Sequence, residues 1–167
     1  VESTGELATG TNDIVAEKID NDGKITTANL ITDDDIDKEI QGGSIENAGT
    51  IDAKNITAYI LNKKAGRITA SETVTGNANN KGYLKAKNIT GTDAITCNSD
   101  HCVCNAEGPK THEVTVLNEG ELIVIQTITG SACNWGEGEA VTVTRTLRNV
   151  GKMKINNVPS FSNKQNG

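Results

Sequence analysis

Apolar residues in the first half of the chain occur in short bursts, mostly single Ile or Leu residues separated by Thr and other polar residues. Alternation with a period of two, together with enrichment in Ile and Thr, favours β-strands. Gly residues interrupt these bursts at short intervals, and Gly can adopt the positive φ that a sharp corner needs. Turns recur too often for long helices, so the pattern predicts an all-β fold.

A ten-residue unit recurs in this half, at residues 21–30, 47–56 and 80–89. Each copy places a Gly two positions before an aliphatic residue, then a small Ala, an Asn and a second aliphatic residue. Such internal similarity is typical of stacked supersecondary units. The unit predicts an irregular β-solenoid or β-repeat stalk over residues 20–96. A meander of hairpins would have the same periodicity, so it stays open as an alternative.

The pattern changes after residue 96. Longer apolar segments at 114–117, 121–128 and 140–147 are separated by turn-rich segments. This arrangement is typical of a small antiparallel β-sheet or sandwich, which we predict for residues 97–160. Residues 1–19 are predicted to be a lead-in or cap, and residues 161–167 a disordered tail.

Composition restricts the core and the partners. The chain has only one Trp, two Tyr and one Phe among its 167 residues, so a large aromatic core is excluded. A solenoid suits this composition, because each coil needs only a few small aliphatic residues. The formal net charge of −6 argues against nucleic acid as a partner. The sequence has no run of about 18 apolar residues, the length that a spanning helix requires.

The four cysteines, Cys97, Cys102, Cys104 and Cys133, all lie in the second half. An even number in one region predicts disulfides and an oxidising compartment. A bond between Cys102 and Cys104 would close a strained ring. Two pairings therefore remain, in which Cys133 joins Cys102 or Cys104 and Cys97 joins the other. His101 lies among these thiols, but their spacing lacks the paired two-residue gaps of zinc sites, so no metal and no cofactor is predicted.

No catalytic arrangement stands out in the sequence. His101 and His112 are the only histidines, and no Gly-x-Ser-x-Gly motif occurs. The densest acidic run, residues 33–37, resembles a solvated insertion and lacks the spacing of a calcium loop. We therefore predict that the protein is not an enzyme. A polysaccharide-acting solenoid enzyme that uses Asp33, Asp34 and Asp35 is the catalytic alternative.

Trp135, the single indole, lies in a Gly-rich loop at residues 130–138 that Cys133 would tether. An exposed indole there could stack on a sugar or anchor a protein contact. Its neighbours Asn134 and Glu137 complete the predicted binding site. The competing interpretation is that Trp135 fills the core of a small sheet that has few other aromatic residues.

The Gly-x-Ile-x-Ala-x-Asn-Ile units of residues 23–96, followed by a cysteine-containing β module, resemble the distal parts of type IV minor pilins of the conjugative thin-pilus adhesin kind. The repeats alone also resemble the bactofilins, which are cytoskeletal β-solenoids. In the pilin family, β-repeats lead to a C-terminal segment that recognises the recipient surface. The resemblance thus implies an extracellular structural or adhesive component of a bacterial surface appendage.

The interpretation as an appendage component implies several partners. They are other appendage subunits and a cell-surface glycan or protein receptor, without nucleic acid. Stalks of this type often bury their exposed edges by forming trimers, so a homotrimer is a further expectation. A bacteriophage tail fibre or tail-tip protein is the second functional class that this pattern allows.

Overall fold

The computed structural model describes residues 2–32, 44–97, 112–149, 151–157 and 159–163. In these residues the regular elements are β-strands, which confirms the all-β prediction, and no helix capable of crossing a membrane occurs in them. The strands of this described part are β1 (Glu2–Ser3), β2 (Glu6–Ala8), β3 (Ile14–Ala16), β4 (Lys18–Asn21), β5 (Lys24–Thr32), β6 (Ser44–Asn47), β7 (Thr50–Thr57), β8 (Tyr59–Asn62), β9 (Arg67–Thr75), β10 (Ala78–Asn80), β11 (Tyr83–Thr90), β12 (Ile95–Cys97), β13 (His112–Val114), β14 (Val116–Asn118), β15 (Glu121–Thr129), β16 (Ala132–Asn134), β17 (Glu137–Val143), β18 (Thr146–Asn149), β19 (Lys152–Asn157) and β20 (Ser160–Asn163).

Most of these strands belong to two long sheets. Sheet A has the order β1-β4-β6-β8-β10-β14-β16-β18-β20, and sheet B has the order β19-β17-β15-β11-β9-β7-β5-β2, with β3 also paired to β5. From β3 to β20, apart from β12 and β13, successive strands alternate between the sheets, and neighbours within each sheet run parallel. Tight hairpins cannot connect parallel neighbours. Alternation between two sheets makes the parallel pairing possible. The chain crosses to the other sheet after each strand, and its next strand in the first sheet then runs in the same direction as the previous one.

The strand direction in the second half differs from the prediction. An antiparallel sheet or sandwich was expected for residues 97–160, but β14 pairs in parallel with β10, and β15 pairs in parallel with β11. The same parallel pairing continues to β20. Alternation of apolar and polar residues determines which side of a strand is buried, but not the direction of its neighbour. Only β12 and β13, among the described strands, form an antiparallel pair.

The ends of the chain also contribute strands. β1 to β4, in the predicted lead-in, pair with the sheets, β1 with β4 and β2 with β5. Phe161–Asn163, assigned to a disordered tail by their polar neighbours, belong to β20, where Phe161 lies opposite Leu147. Pairing with β18 satisfies the backbone groups of this polar segment, which the local sequence does not indicate.

The core between the sheets is built from columns of small aliphatic side chains. The main cluster of buried residues consists of Ile, Leu, Val and Ala. One column in sheet B contains, in register, Ile25, Ile51, Ile68, Leu84 and Leu122. Each of these side chains is at most 1% exposed. Stacking one residue type on its equivalent in the next strand fills the core without aromatic side chains, as the composition requires.

A ladder of buried asparagines runs along one edge of the core, at the ends of successive strands of sheet A. Each member except the last donates a hydrogen bond from Nδ2 to Oδ1 of the next, at 2.6 to 2.9 Å. Each amide also donates to backbone carbonyls of the following turn, so these buried polar groups are satisfied. The asparagine ladder consists of Asn21, Asn47, Asn62, Asn80, Asn118 and Asn134.

Candidate binding surface

The outer side of sheet A carries an apolar surface. Neighbouring residues of a strand point to opposite sides, so the burial of Val116 and Asn118 in the core directs Leu117 outward. A second buried cluster forms here from Ile95 and Val114 of the β12–β13 hairpin and Cys133 of β16. Three partly buried side chains pack against it, and we call them the apolar patch: Tyr59, Leu117 and Trp135.

Trp135 occupies a turn position that holds a charged or smaller residue in the equivalent triplets of the sequence. It is the middle residue of an Asn-x-Gly triplet that follows a strand of sheet A, and its Asn belongs to the asparagine ladder. Equivalent triplets have other residues in the middle, namely Asp22, Ala48, Lys81, Glu119 and Val150. Nε1 of Trp135 donates a hydrogen bond to Sγ of Cys133 at 3.2 Å. The indole therefore lies against the sheet and keeps part of its surface exposed.

The other two predicted binding residues lie in different environments. Asn134 is only 1% exposed, and its amide is bonded to Asn118 and to the carbonyls of Gly136 and Lys152. Glu137 lies on the surface, and its carboxylate accepts a hydrogen bond from Nζ of Lys152 at 3.2 Å. Of these two, Glu137 alone offers its side chain to a surface ligand.

Burial also affects Tyr59, the member of the apolar patch from β8. The position of its ring beside the second cluster raises the pKa of its hydroxyl, because burial disfavours the charged phenolate. Tyr59 and Trp135 thus present partly desolvated rings with polar ends. Rings of this kind contribute large contact area and a hydrogen bond at protein interfaces.

Most of the predicted cysteine and acidic site residues lie outside the part of the chain that the structure describes. Cys133 is buried in β16, whereas Cys102, Cys104 and His101 lie outside the described residues. The backbone of Cys97 pairs with that of His112, but their side chains are not described. The two disulfide pairings therefore stay predictions. Residues 33–37, including Asp33, Asp34 and Asp35, also lie outside the described residues. In the part of the chain that the structure describes, no cluster of metal ligands occurs.

Asp93 forms a polar clamp that the sequence did not indicate. Its backbone has a φ of 57°, in the left-handed region that Asp tolerates. Oδ1 accepts hydrogen bonds from Oγ1 of Thr115 at 2.5 Å and from the backbone N–H of Ser131 at 2.7 Å. Oδ2 accepts one from Arg145 at 2.7 Å. These partners lie 22, 38 and 52 positions away, so no local motif identifies the clamp.

The clamp fixes the base of the β12–β13 hairpin. Asp93 lies just before β12, and Thr115 lies between β13 and β14. Their hydrogen bond therefore joins the two ends of the segment that contains the hairpin. Ser131 and Arg145 attach the same carboxylate to the next two turns. The hairpin is thereby held over sheet A, where Ile95 and Val114 support the apolar patch.

The charge of Asp93 is stabilised in the folded chain. Burial by itself raises the pKa of its carboxyl group. Hydrogen bonds from Thr115, the Ser131 backbone, Arg145 and the Ser131 hydroxyl outweigh this effect and hold the pKa below its ordinary value. Because the pKa is lower in the folded than in the unfolded chain, the carboxylate stabilises the fold above the ordinary Asp range. This stabilisation is lost as the pH falls through the lowered value.

We expect Asp93→Asn to lower the free energy of unfolding at pH 7 by about 2 kcal/mol, because charge-assisted hydrogen bonds from three residues are weakened. Urea unfolding followed by circular dichroism at pH 7 and in the acid range measures the effect. The difference between wild type and variant should shrink as the pH falls below the ordinary pKa of Asp. Asp52→Asn, an outward-facing residue of β7, is the control and should change stability by about 0.5 kcal/mol or less. A pH-independent difference would contradict the clamp.

No protein-family model, curated protein or solved structure matches this chain. Function is therefore argued from the geometry of the two sheets, the apolar patch and the clamp.

Proposed function

We propose that this chain is a β-solenoid stalk and an extracellular structural or adhesive component of a bacterial surface appendage. The observation that carries the proposal is the parallel pairing that continues from β1 to β20 in sheet A. Nine strands at a spacing of about 4.8 Å give a rod about 38 Å long. A rod of stacked strands separates its ends and displays side chains at fixed intervals, which are the properties that a stalk requires.

Adhesion is assigned to the apolar patch. Tyr59, Leu117 and Trp135 lie on one side of the rod, supported from below by Ile95, Val114 and Cys133. Partly buried aromatic side chains on a rigid support are favoured at binding hot spots. Glu137, exposed next to this turn, adds a carboxylate that can accept hydrogen bonds from a sugar hydroxyl or a receptor amide. The proposed partners are other appendage subunits and a cell-surface glycan or protein receptor.

Surface charge is consistent with a protein or glycan partner. Lys and Glu residues pair across neighbouring strands, as in Lys24 with Glu6 and Lys154 with Glu139. These exposed pairs contribute little to stability. They place a carboxylate beside each of these lysines, which argues against a nucleic-acid partner. A homotrimer and a bacteriophage tail fibre remain the further predictions of the same architecture.

We expect Trp135→Ser to reduce binding of the purified protein to fixed bacterial cells, or to its best ligand on a glycan array, by at least tenfold. The reason is that truncation of a central aromatic side chain removes most of the contact area of a hot spot. The measurement is a titration of labelled protein, with circular dichroism to establish that the variant is folded.

Ile125→Ser provides the matched control. Ile125 is another exposed apolar residue, at 51% exposure, but it lies on β15 of sheet B, away from the apolar patch. Its replacement should leave binding within about twofold of wild type. Equal losses in the two variants, or wild-type binding by a folded Trp135→Ser variant, would exclude the apolar patch as the adhesive surface.

A further inference from the structure

Sheet B carries a regular array of uncharged polar side chains along one margin. The register of β7, β9, β11 and β15 shifts at a bulge. Beyond the bulge, each strand has a half-buried residue on one side of a buried aliphatic residue and an exposed threonine on the other. Equivalent residues of neighbouring strands then form two columns. The outer column is Thr57, Thr75, Thr90 and Thr129, and the inner column is Thr73, Asn88, Thr127 and Thr142.

The spacing of this threonine array follows from β-sheet geometry. Neighbouring strands place equivalent side chains about 4.8 Å apart, and residues i and i+2 of one strand lie about 6.7 Å apart. Buried Val74, Ile89 and Ile128 between the columns anchor each rung to the core. The array is therefore a rigid two-dimensional grid of side chains.

Charge is excluded from this grid. On the first halves of β9, β11, β15 and β17, outward positions carry charges in five of eight cases: Arg67, Lys85, Glu121, Glu137 and Glu139. None of the eight array positions is charged. β-Propensity alone does not explain this contrast, because seven of the eight array residues lie on the same four strands as the charged positions.

The polar groups of the array are directed to the surroundings. The outer threonines are exposed, and in the described part of the chain none of the eight side chains makes a hydrogen bond to another protein group. A threonine hydroxyl can donate and accept hydrogen bonds, and it stands beside a methyl group. Each rung thus offers bonding sites of either polarity with an apolar surface between them.

We propose that the threonine array binds the surface of an ice crystal. A neutral grid with two fixed repeats is matched by a partner that repeats in two dimensions at similar spacing, as the hydrogen-bonded oxygens of ice do. Hydroxyls of both polarities join such a lattice, whereas a charged side chain would orient water around itself and disrupt it. Fixed side chains also lose little conformational entropy on binding. This activity uses a different surface from the apolar patch and does not depend on the proposed adhesive function.

Thermal hysteresis and ice growth in a nanolitre osmometer test the proposal. The folded wild-type protein should separate the melting and freezing points and produce faceted crystals. The double variant T90K/T129K should reduce the hysteresis gap to that of serum albumin at equal concentration. Both substituted positions are exposed, and circular dichroism measures whether the fold is retained.

The matched control variant is T50K/T69K. It adds the same two charges on outward positions of neighbouring strands in sheet B, among residues that already carry charge. This variant should keep at least half of the wild-type hysteresis gap. If T90K/T129K does not fold, T90V/T129V replaces it, and loss of faceting is again expected because the hydroxyls are removed.

Three results would overturn the proposal. The first is that folded wild-type protein neither shifts the freezing point nor shapes ice. The second is equal loss of hysteresis in the array and control variants. The third is array-dependent binding to crystalline cellulose or chitin without any effect on ice, which would assign the array to a different solid.

Discussion

Asn118→Ala is expected to lower the free energy of unfolding by about 3 kcal/mol, because it interrupts the asparagine ladder in its interior. The Asn118 amide donates to Oδ1 of Asn134 at 2.6 Å and to the carbonyl of Glu137 at 3.0 Å. Its own Oδ1 accepts from Asn80 at 2.7 Å. Removal leaves buried polar groups on both neighbours without these partners. Each such group costs about 1 to 3 kcal/mol.

The destabilisation caused by Asn118→Ala should be concentrated in the strands near Asn118. Stacked units gain stability from nearest-neighbour contacts, so an interrupted rung separates the coils before it from those after it. Urea titration by circular dichroism gives the midpoint, and amide hydrogen exchange shows where protection is lost. We expect the largest loss in β14, β16 and the strands that flank them in sheet B. Asn156→Ala, on exposed β19, is the control and should change the free energy by about 0.5 kcal/mol or less. Equal effects of the two variants would contradict a structural role for the ladder.

The strands of this fold could be predicted from the sequence because buried and exposed positions alternate along them. β7 and β11, for example, carry buried Ile51 and Leu84 at the positions that the repeated unit predicts. Sheet direction was not accessible in the same way, because β15 has the same alternation whether its neighbour is parallel or antiparallel. Its length also suggested a change of architecture, although β5 in the first half is equally long.

One available signal did indicate that the same architecture continues. The triplet Asn-x-Gly begins the repeats at Asn21, Asn47 and Asn80, and it returns at Asn118, Asn134 and Asn149 in the second half. Asn and Gly are common wherever chains reverse, so a single triplet does not distinguish a stacked repeat from a hairpin turn. Their recurrence at the ends of β4, β6, β10, β14 and β16 of sheet A, with the Asn facing inward, distinguishes a stacked ladder from isolated hairpin turns.

The candidate site was harder to predict from the sequence than the strands. A single indole between Asn and Gly is conspicuous in the sequence, but the cluster against which Trp135 packs also receives Tyr59, which lies 76 positions away. Asn134 was selected because it precedes Trp135, whereas its side chain turns to the core. Asp93 was overlooked because its partners come from three later turns. Contacts between strands that are distant in sequence depend on register, which a linear pattern does not contain.

Gly120→Ala is expected to lower the free energy of unfolding by about 3 kcal/mol or more, because the corner has no room for a Cβ atom. A Cβ added at Gly120 would overlap the carbonyl oxygen of Gly82 and the backbone of Lys81 in the previous coil. These are backbone atoms, so the overlap is not relieved by rotating a side chain. Gly82 is itself stacked in the same way on Gly66, and Gly136 on Gly120. Displacement at one corner therefore forces displacement at its neighbours.

Gly5→Ala is the control that separates this steric effect from the general entropic effect of removing a glycine. Gly5 belongs to the same column, beneath Gly23, but a Cβ there would meet no atom within 4 Å. Its replacement should leave stability unchanged or raise it by about 0.4 to 1 kcal/mol, because the unfolded chain loses freedom. Thermal and urea unfolding of the two variants under the same conditions measures the difference. If Gly120→Ala were as stable as Gly5→Ala, the coils would not be stacked as closely as the corner contacts require, and both the glycine column and the asparagine ladder beside it would lose their structural basis.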